Sequence, residues 1–352
     1  MAYTPIDKPT DYFNTKLYTG TGSTLNITGV GFQPDLVWTK LRDTTAEGNM
    51  DHALVDSVRG VTKTLRSNTS AAEGTEANSL TAFGSDGYTV GNNGKFNYSS
   101  SDIYVSWNWK AGTSFTNDAS ATGIGSIDST GSVNTDAGFS IMSYTGTGST
   151  GTVAHGLGVA PSFLIYKNRA STDSWNVQSD GLTSYDYYLR LNSTGAQNND
   201  IDVGPTAPTS TVVTVGSHAQ QNGSSNAMIL YAFAEKQGYS KFGSYTGNGN
   251  ADGTFVYTGF KPAFVMVKQT TVRYWAMFDN KRDGFNPTNR PLFPNAADQE
   301  SDSVNYYYDI LSNGFKWRTN TTIMNESGGS YIYMAFAENP FVTSTGVPAC
   351  AR

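Results

Sequence analysis

Tyr18-Thr19-Gly20-Thr21-Gly22 returns as Tyr144-Thr145-Gly146-Thr147-Gly148 and again as Tyr245-Thr246-Gly247-Asn248-Gly249. Each phrase leads to a Gly-x-x-Pro, at Gly31 to Pro34, Gly158 to Pro161 and Gly259 to Pro262. An apolar run then ends in a lysine six positions past the proline, at Lys40, Lys167 and Lys268. A Leu-x-x-Asn follows in every case, at Leu65 to Asn68, Leu189 to Asn192 and Leu292 to Asn295. An aromatic stands 41 residues beyond each asparagine: Trp109, Phe233 and Phe336. Self-similarity at a fixed period decides architecture before any local reading does. The chain therefore reads as three tandem units.

Composition sets the class of those units. Charged residues make up only 15% of the 352, and no amphipathic helical run stands out. Tyr, Phe, Trp, Val, Ile and Thr favour pleated, half-buried surfaces, while Gly, Asn and Asp supply turns. The expected fold is all-β, with three tandem antiparallel β-sandwich (jelly-roll-like) units. The divisions are an extended leader at 1–11, unit one at 12–110, a Ser/Thr/Gly-rich linker at 111–137, unit two at 138–237, unit three at 238–338 and a tail at 339–352. The units are expected to stack in series, each touching its neighbour. Asp86-Gly87, between alternating apolar residues, is a hairpin signal, and Asn313-Gly314 reads as a turn.

Net charge is −6 and no basic stripe exists, so the footprint of a nucleic-acid binder is missing. No apolar run approaches the ~20 residues of a membrane helix. Nor does Met1-Ala2-Tyr3-Thr4-Pro5 open a signal peptide. The expectation is a chain made in a cytosol without membrane insertion. Cys350 is the one cysteine, so no intrachain disulfide can form.

Residues able to do chemistry are thinly spread. His52, His155 and His218 read as turn or surface residues at unmatched places, without metal-ligand spacing. Asp51 with Asp56, and Asp279 with Asp283, are the candidate carboxylate pairs for glycan hydrolysis. Asp56-x-x-Arg59 and Asp279-x-x-Arg282 read more simply as ion pairs across a turn. Asn198-Asn199-Asp200-Ile201-Asp202 is the densest oxygen cluster and the one place for a structural calcium. Trp175, Trp275, Tyr187, Tyr188, Tyr306 and Tyr307 are candidate glycan or interface contacts, because exposed aromatics offer a stacking face. No cofactor, metal or catalytic residue is assigned.

The stretch from Tyr18 to Trp38 resembles a recurrent module of marine tailed-bacteriophage virion structural proteins. So do Asp56-Ser57-Val58-Arg59-Gly60, the run from Tyr239 to Gly249, and Asn339 to Pro348. The resemblance implies a non-enzymatic virion part made in the host cytoplasm, such as a tail fibre, tailspike-like adhesin or head-decoration protein. It further implies contacts with other virion proteins, and a homo-oligomer, with trimers usual for fibres. The leader or the tail would dock such a body to the particle, and host surface glycans are expected ligands. The alternatives are a carbohydrate-binding receptor-recognition module and a glycan depolymerase.

Overall fold

The strands form antiparallel ladders, and helical structure is confined to short turns such as Gly94–Asn97, Ala219–Asn222 and Val304–Tyr306. The chain is all-β. The computed structural model describes residues 3–43, 48–204 and 206–349; Met1, Ala2, Cys350 and the last two positions lie outside them. In the first segment Phe13–Thr19, Ile103–Trp109, Leu36–Leu41 and Ala53–Asp56 lie side by side in that order. The second sets Phe139–Thr145, Ala227–Phe233, Phe163–Asn168 and Asn176–Ser179 in the same sequence of neighbours, within a longer sheet. The third repeats it with Ser240–Thr246, Ser330–Pro340, Phe260–Gln269 and Trp275–Asp279. Each time the closing strand returns between the opening strand and the one after the Gly-x-x-Pro.

A smaller sheet lies over each set. In the first segment it is Leu25–Thr28, Gly87–Val90 and Leu80–Gly84. In the second it is Gly151–Ala154 with Val212–Val215, and in the third Phe255–Tyr257, Gly314–Trp317 and Tyr308–Leu311. The hairpin expected at Asp86-Gly87 forms, and the turn at Asn313-Gly314 also closes a hairpin.

The main strands are covered on both faces, which is why they read as unbroken apolar runs. Leu36–Leu41 and Phe163–Asn168 are buried at every position. One face of each set packs under its own small sheet; in the first segment Val37 and Val55 meet Ile27, Leu80, Tyr88 and Val90. The other face joins one central core shared by all three segments, including Trp38, Trp107, Trp109, Ile165, Tyr231, Phe233, Met266, Met334 and Phe336. Trp109, Phe233 and Phe336, the aromatics of the repeated spacing, converge there. Ring centroids of Trp109 and Phe336 stand 5.7 Å apart, and those of Phe233 and Phe336 5.9 Å. Each such side chain stabilises the fold by about 1.5–3 kcal/mol through burial.

Three expectations need correction. The segment 111–137 is not a free linker. Thr113–Asn117 and Ser129–Asn134 add two strands to the edge of the second set, paired through Phe139–Thr145. Its polar composition lacks a core of its own, but a preformed sheet edge satisfies its backbone. The extended leader and the tail do not lie outside the packed body either. Ile6 belongs to the central core, Thr4 and Pro9 are buried, and Asp7 accepts hydrogen bonds from the backbone and hydroxyl of Ser344. Finally, the segments do not stack in series. The third also contacts the first, so the contacts close into a cycle.

Candidate functional site

The repeated residues have definable jobs. In the opening phrase the tyrosine hydroxyl donates to a backbone carbonyl of the turn before the closing strand: Tyr18 to Phe96 O at 2.8 Å, Tyr245 to Met324 O at 2.7 Å, and Tyr144 to Gln221 O. The next residue in that turn is a buried asparagine: Asn97, Asn222 or Asn325. Asn222 Oδ1 accepts from Thr147 N at 2.7 Å, while its Nδ2 donates to Ser149 O at 2.7 Å and Gly216 O at 2.9 Å. Asn97 and Asn325 grip their phrases in the same way. The first glycine is needed because a Cβ at Gly20, Gly146 or Gly247 would lie 2.2–2.4 Å from a carbonyl oxygen. The second has φ of +68°, +71° or +70°, a region that side chains disfavour.

The three lysines end in cages of backbone oxygen. Lys167 Nζ donates to Asn168 O at 2.8 Å, Asp173 O at 2.7 Å, and across to Ser70 O of the first segment at 3.2 Å. Lys268 Nζ donates to Gln269 O and Thr271 O, and Lys40 Nζ to Leu41 O. All three side chains are buried. Burial pushes Lys40 and Lys167 down to about 8 and Lys268 to about 7. The asparagine of each Leu-x-x-Asn accepts a backbone N–H at the start of the facing strand or just before it: Asn68 from His52, Asn192 from Trp175, Asn295 from Trp275.

Between segments one pattern of bonds is made in rotation. The backbone N–H of Glu73 reaches Arg169 O at 2.9 Å, that of Gln197 reaches Thr270 O at 2.7 Å, and that of Glu300 reaches Arg42 O at 2.8 Å. Trp175 Nε1 donates to Arg66 O at 2.8 Å and Trp275 Nε1 to Arg190 O at 3.0 Å. His52 occupies the third place of that set, facing the Phe293 carbonyl. Asp56 accepts from Tyr231 of the second segment at 2.7 Å, and Asp279 from Trp107 of the first at 3.1 Å.

Largely buried charge reinforces two of the three seams among the described residues. Glu73 bridges Arg59 at 3.1 Å and Arg169 at 2.9 Å, and Arg59 also pairs with buried Asp56. Glu300 bridges Arg42 at 2.8 Å and Arg282 at 3.3 Å, and Arg282 pairs with Asp279 at 2.6 Å. Burial raises the pKa of both glutamates, but the guanidinium partners outweigh it and hold Glu73 and Glu300 below the ordinary value. On the third seam Ser179 and Leu182 stand where the others have aspartate and arginine, and Gln197 stands in place of glutamate.

These positions revise the expected site. Trp175, Trp275 and Tyr188 are buried, so no ring face is open to a sugar. Tyr187 is half-buried against the central core, and Tyr306 packs on Phe293 at 5.9 Å. Tyr307 is half-buried. Trp175 and Trp275 share the central core against which Tyr187 packs, whereas Tyr306 packs on the third segment's own core. His52 and His155 are buried rather than on the surface, while His218 caps the turn Ala219–Asn222. Of the candidate acids, Asp56 and Asp279 are locked to arginines, Asp51 is held by Asn68 and Arg66, and Asp283 by Arg290. Asp200 turns its carboxylate to the backbone of Asp202. Among the described residues no group of three or more His, Cys, Asp or Glu is placed to hold a metal ion. No helix among them is long and apolar enough to cross a membrane.

The equivalence of His52 with the tryptophans was legible: His52-Ala53-Leu54-Val55-Asp56 aligns with Trp275-Ala276-Met277-Phe278-Asp279. Its longer distance from the preceding lysine hid the match.

A family model described as a domain of unknown function (DUF7483) matches residues 8–340, and the chain belongs to that family. No curated protein matches it.

Proposed function

We propose that this DUF7483 protein is a non-enzymatic structural component of a bacteriophage particle. It is displayed on the surface as a tail-fibre or head-decoration element and serves assembly and host attachment. The three segments are copies of one jelly-roll-like β-sandwich, closed about an internal pseudo-threefold axis. The observation that carries the reading is the bond made in rotation by Glu73, Gln197 and Glu300 to the next segment's backbone. The repeated tyrosines, asparagines, glycines and lysines all serve packing, and the buried acids at the seams are matched by arginines rather than aimed at a substrate. The likeness of the repeated phrases to phage virion modules supports placing this body on a particle. That likeness implies a homo-oligomer, with trimers usual for fibres. The internal repeat supplies the threefold form within one polypeptide, so one chain is the working body and other virion proteins are its partners.

The test is to find the protein on purified particles by mass spectrometry and to fit its density by cryo-electron microscopy. Density for one chain per site, with threefold pseudo-symmetry, is expected. Absence from purified particles would overturn the reading. Light scattering of the isolated protein should return the mass of one chain.

A further inference from the structure

Departures from the triplicate pattern mark where a symmetric scaffold has acquired something extra, because sites are grafted on folds. One departure in loop length lies in the third segment, beside the end of its closing strand. The run from Asp279 to Leu292 is longer than its counterparts from Asp56 to Leu65 and from Ser179 to Leu189. In this segment, too, the closing strand continues to Pro340 and into a hairpin bridged at Val342 and Pro348. Between these extensions lies a cleft of about 790 Å³, within the ~300–1,000 Å³ of small-molecule sites.

We infer that this cleft is a binding site for a neutral saccharide. The inference stands apart from the particle reading. Lys261 and Glu338, on one wall, pair at 2.7 Å and leave that wall without net charge. Asn280, Thr288, Ser312 and Asn339 add amides and hydroxyls, the groups that match sugar hydroxyls as both donors and acceptors. Asn280 Oδ1 is buried and has no hydrogen-bond partner in the protein, a state that costs free energy unless a ligand or water completes it. Asn286 fixes the long loop through two bonds to Ile310, at 2.8 and 2.9 Å. At the rim Gly284, at φ +73°, turns the chain so that Phe285 stands 76% exposed. A large apolar ring held in solvent beside a polar cleft is a stacking platform for the C–H face of a sugar. The balanced charge disfavours an anionic ligand, and the polar lining an apolar one.

Saturation-transfer NMR of the full chain with maltotriose, cellotriose, mannotriose and triacetylchitotriose, all neutral, tests this. At least one should give transfer to its ring protons. Phe285→Ala and Asn280→Ala should each weaken that ligand at least tenfold without lowering the thermal midpoint. Tyr274→Ala, on a different exposed aromatic, should leave binding unchanged. Silence from all four sugars, or full binding by Phe285→Ala, would overturn the proposal. Tighter binding of an acidic trisaccharide than of any neutral one would overturn the assignment of charge.

Discussion

Single residues at the seams show how one sequence position carries different solutions to one packing problem. Asp56 and Arg59 are fully buried as side chains, as are Asp279 and Arg282 to within 1%. Removing one partner of such a pair strands a charge and costs about 3–5 kcal/mol, whereas replacing both by groups of similar volume is often tolerated. Asp56→Ala should therefore lose about 3–5 kcal/mol in urea unfolding. The double variant Asp56→Ser with Arg59→Leu should recover more than half of that loss. The protein already uses this solution at Ser179 and Leu182, the latter packed in the central core. If the double variant is no better than the single, the pair is not exchangeable and the seams differ in more than chemistry.

At the scale of elements, the turns and strands were legible because period and turn chemistry report on them directly. The apolar runs before Lys40, Lys167 and Lys268 read as strands and are strands. What composition hid was the segment 111–137, whose order comes from a neighbour's open edge and not from its own residues. Hidden also was the burial of Trp175 and Trp275, since an exposed and a buried tryptophan look alike in a strand whose partners are unknown. The phrase loops make a sharper prediction. A Cβ at Gly146 would lie 2.2 Å from Gly223 O, so the turn must open to admit it. Gly146→Ala should cost about 3 kcal/mol or more. Gly123→Ala should cost only about 1 kcal/mol, since Gly123 has φ +68° but nothing within 4 Å. Thermal melts of the two variants separate close approach from backbone strain.

For the whole molecule, the shared core and the closed cycle of seams mean that no segment stands alone. Glu73 and Glu300 fold with pKa values below the ordinary 4.5. Such groups bind fewer protons folded than unfolded, so their contribution is full above about 4.5 and is lost as pH falls through the depressed values. Asp283, which burial raises, works in the opposite sense as a single group. Urea midpoints taken from pH 6 to pH 3 should fall, and the double variant Glu73→Gln with Glu300→Gln should flatten that slope. The leader is part of the same body. Deleting residues 3–11 removes Ile6 from the central core and should cost about 2–5 kcal/mol, read as a lower melting point of the entire protein and not of one segment. Unchanged melting would mean that the core closes without it.

The contact between Asp7 and Ser344 has a topological corollary. Leader and tail lie against each other, so the polypeptide traces a near-complete hoop whose opening point is arbitrary. A permutant with its described ends joined by a short glycine tether, and a fresh opening cut beside Gly238 between the second and third segments, should adopt the same shape. Whichever segment is then synthesised first, the rosette should assemble.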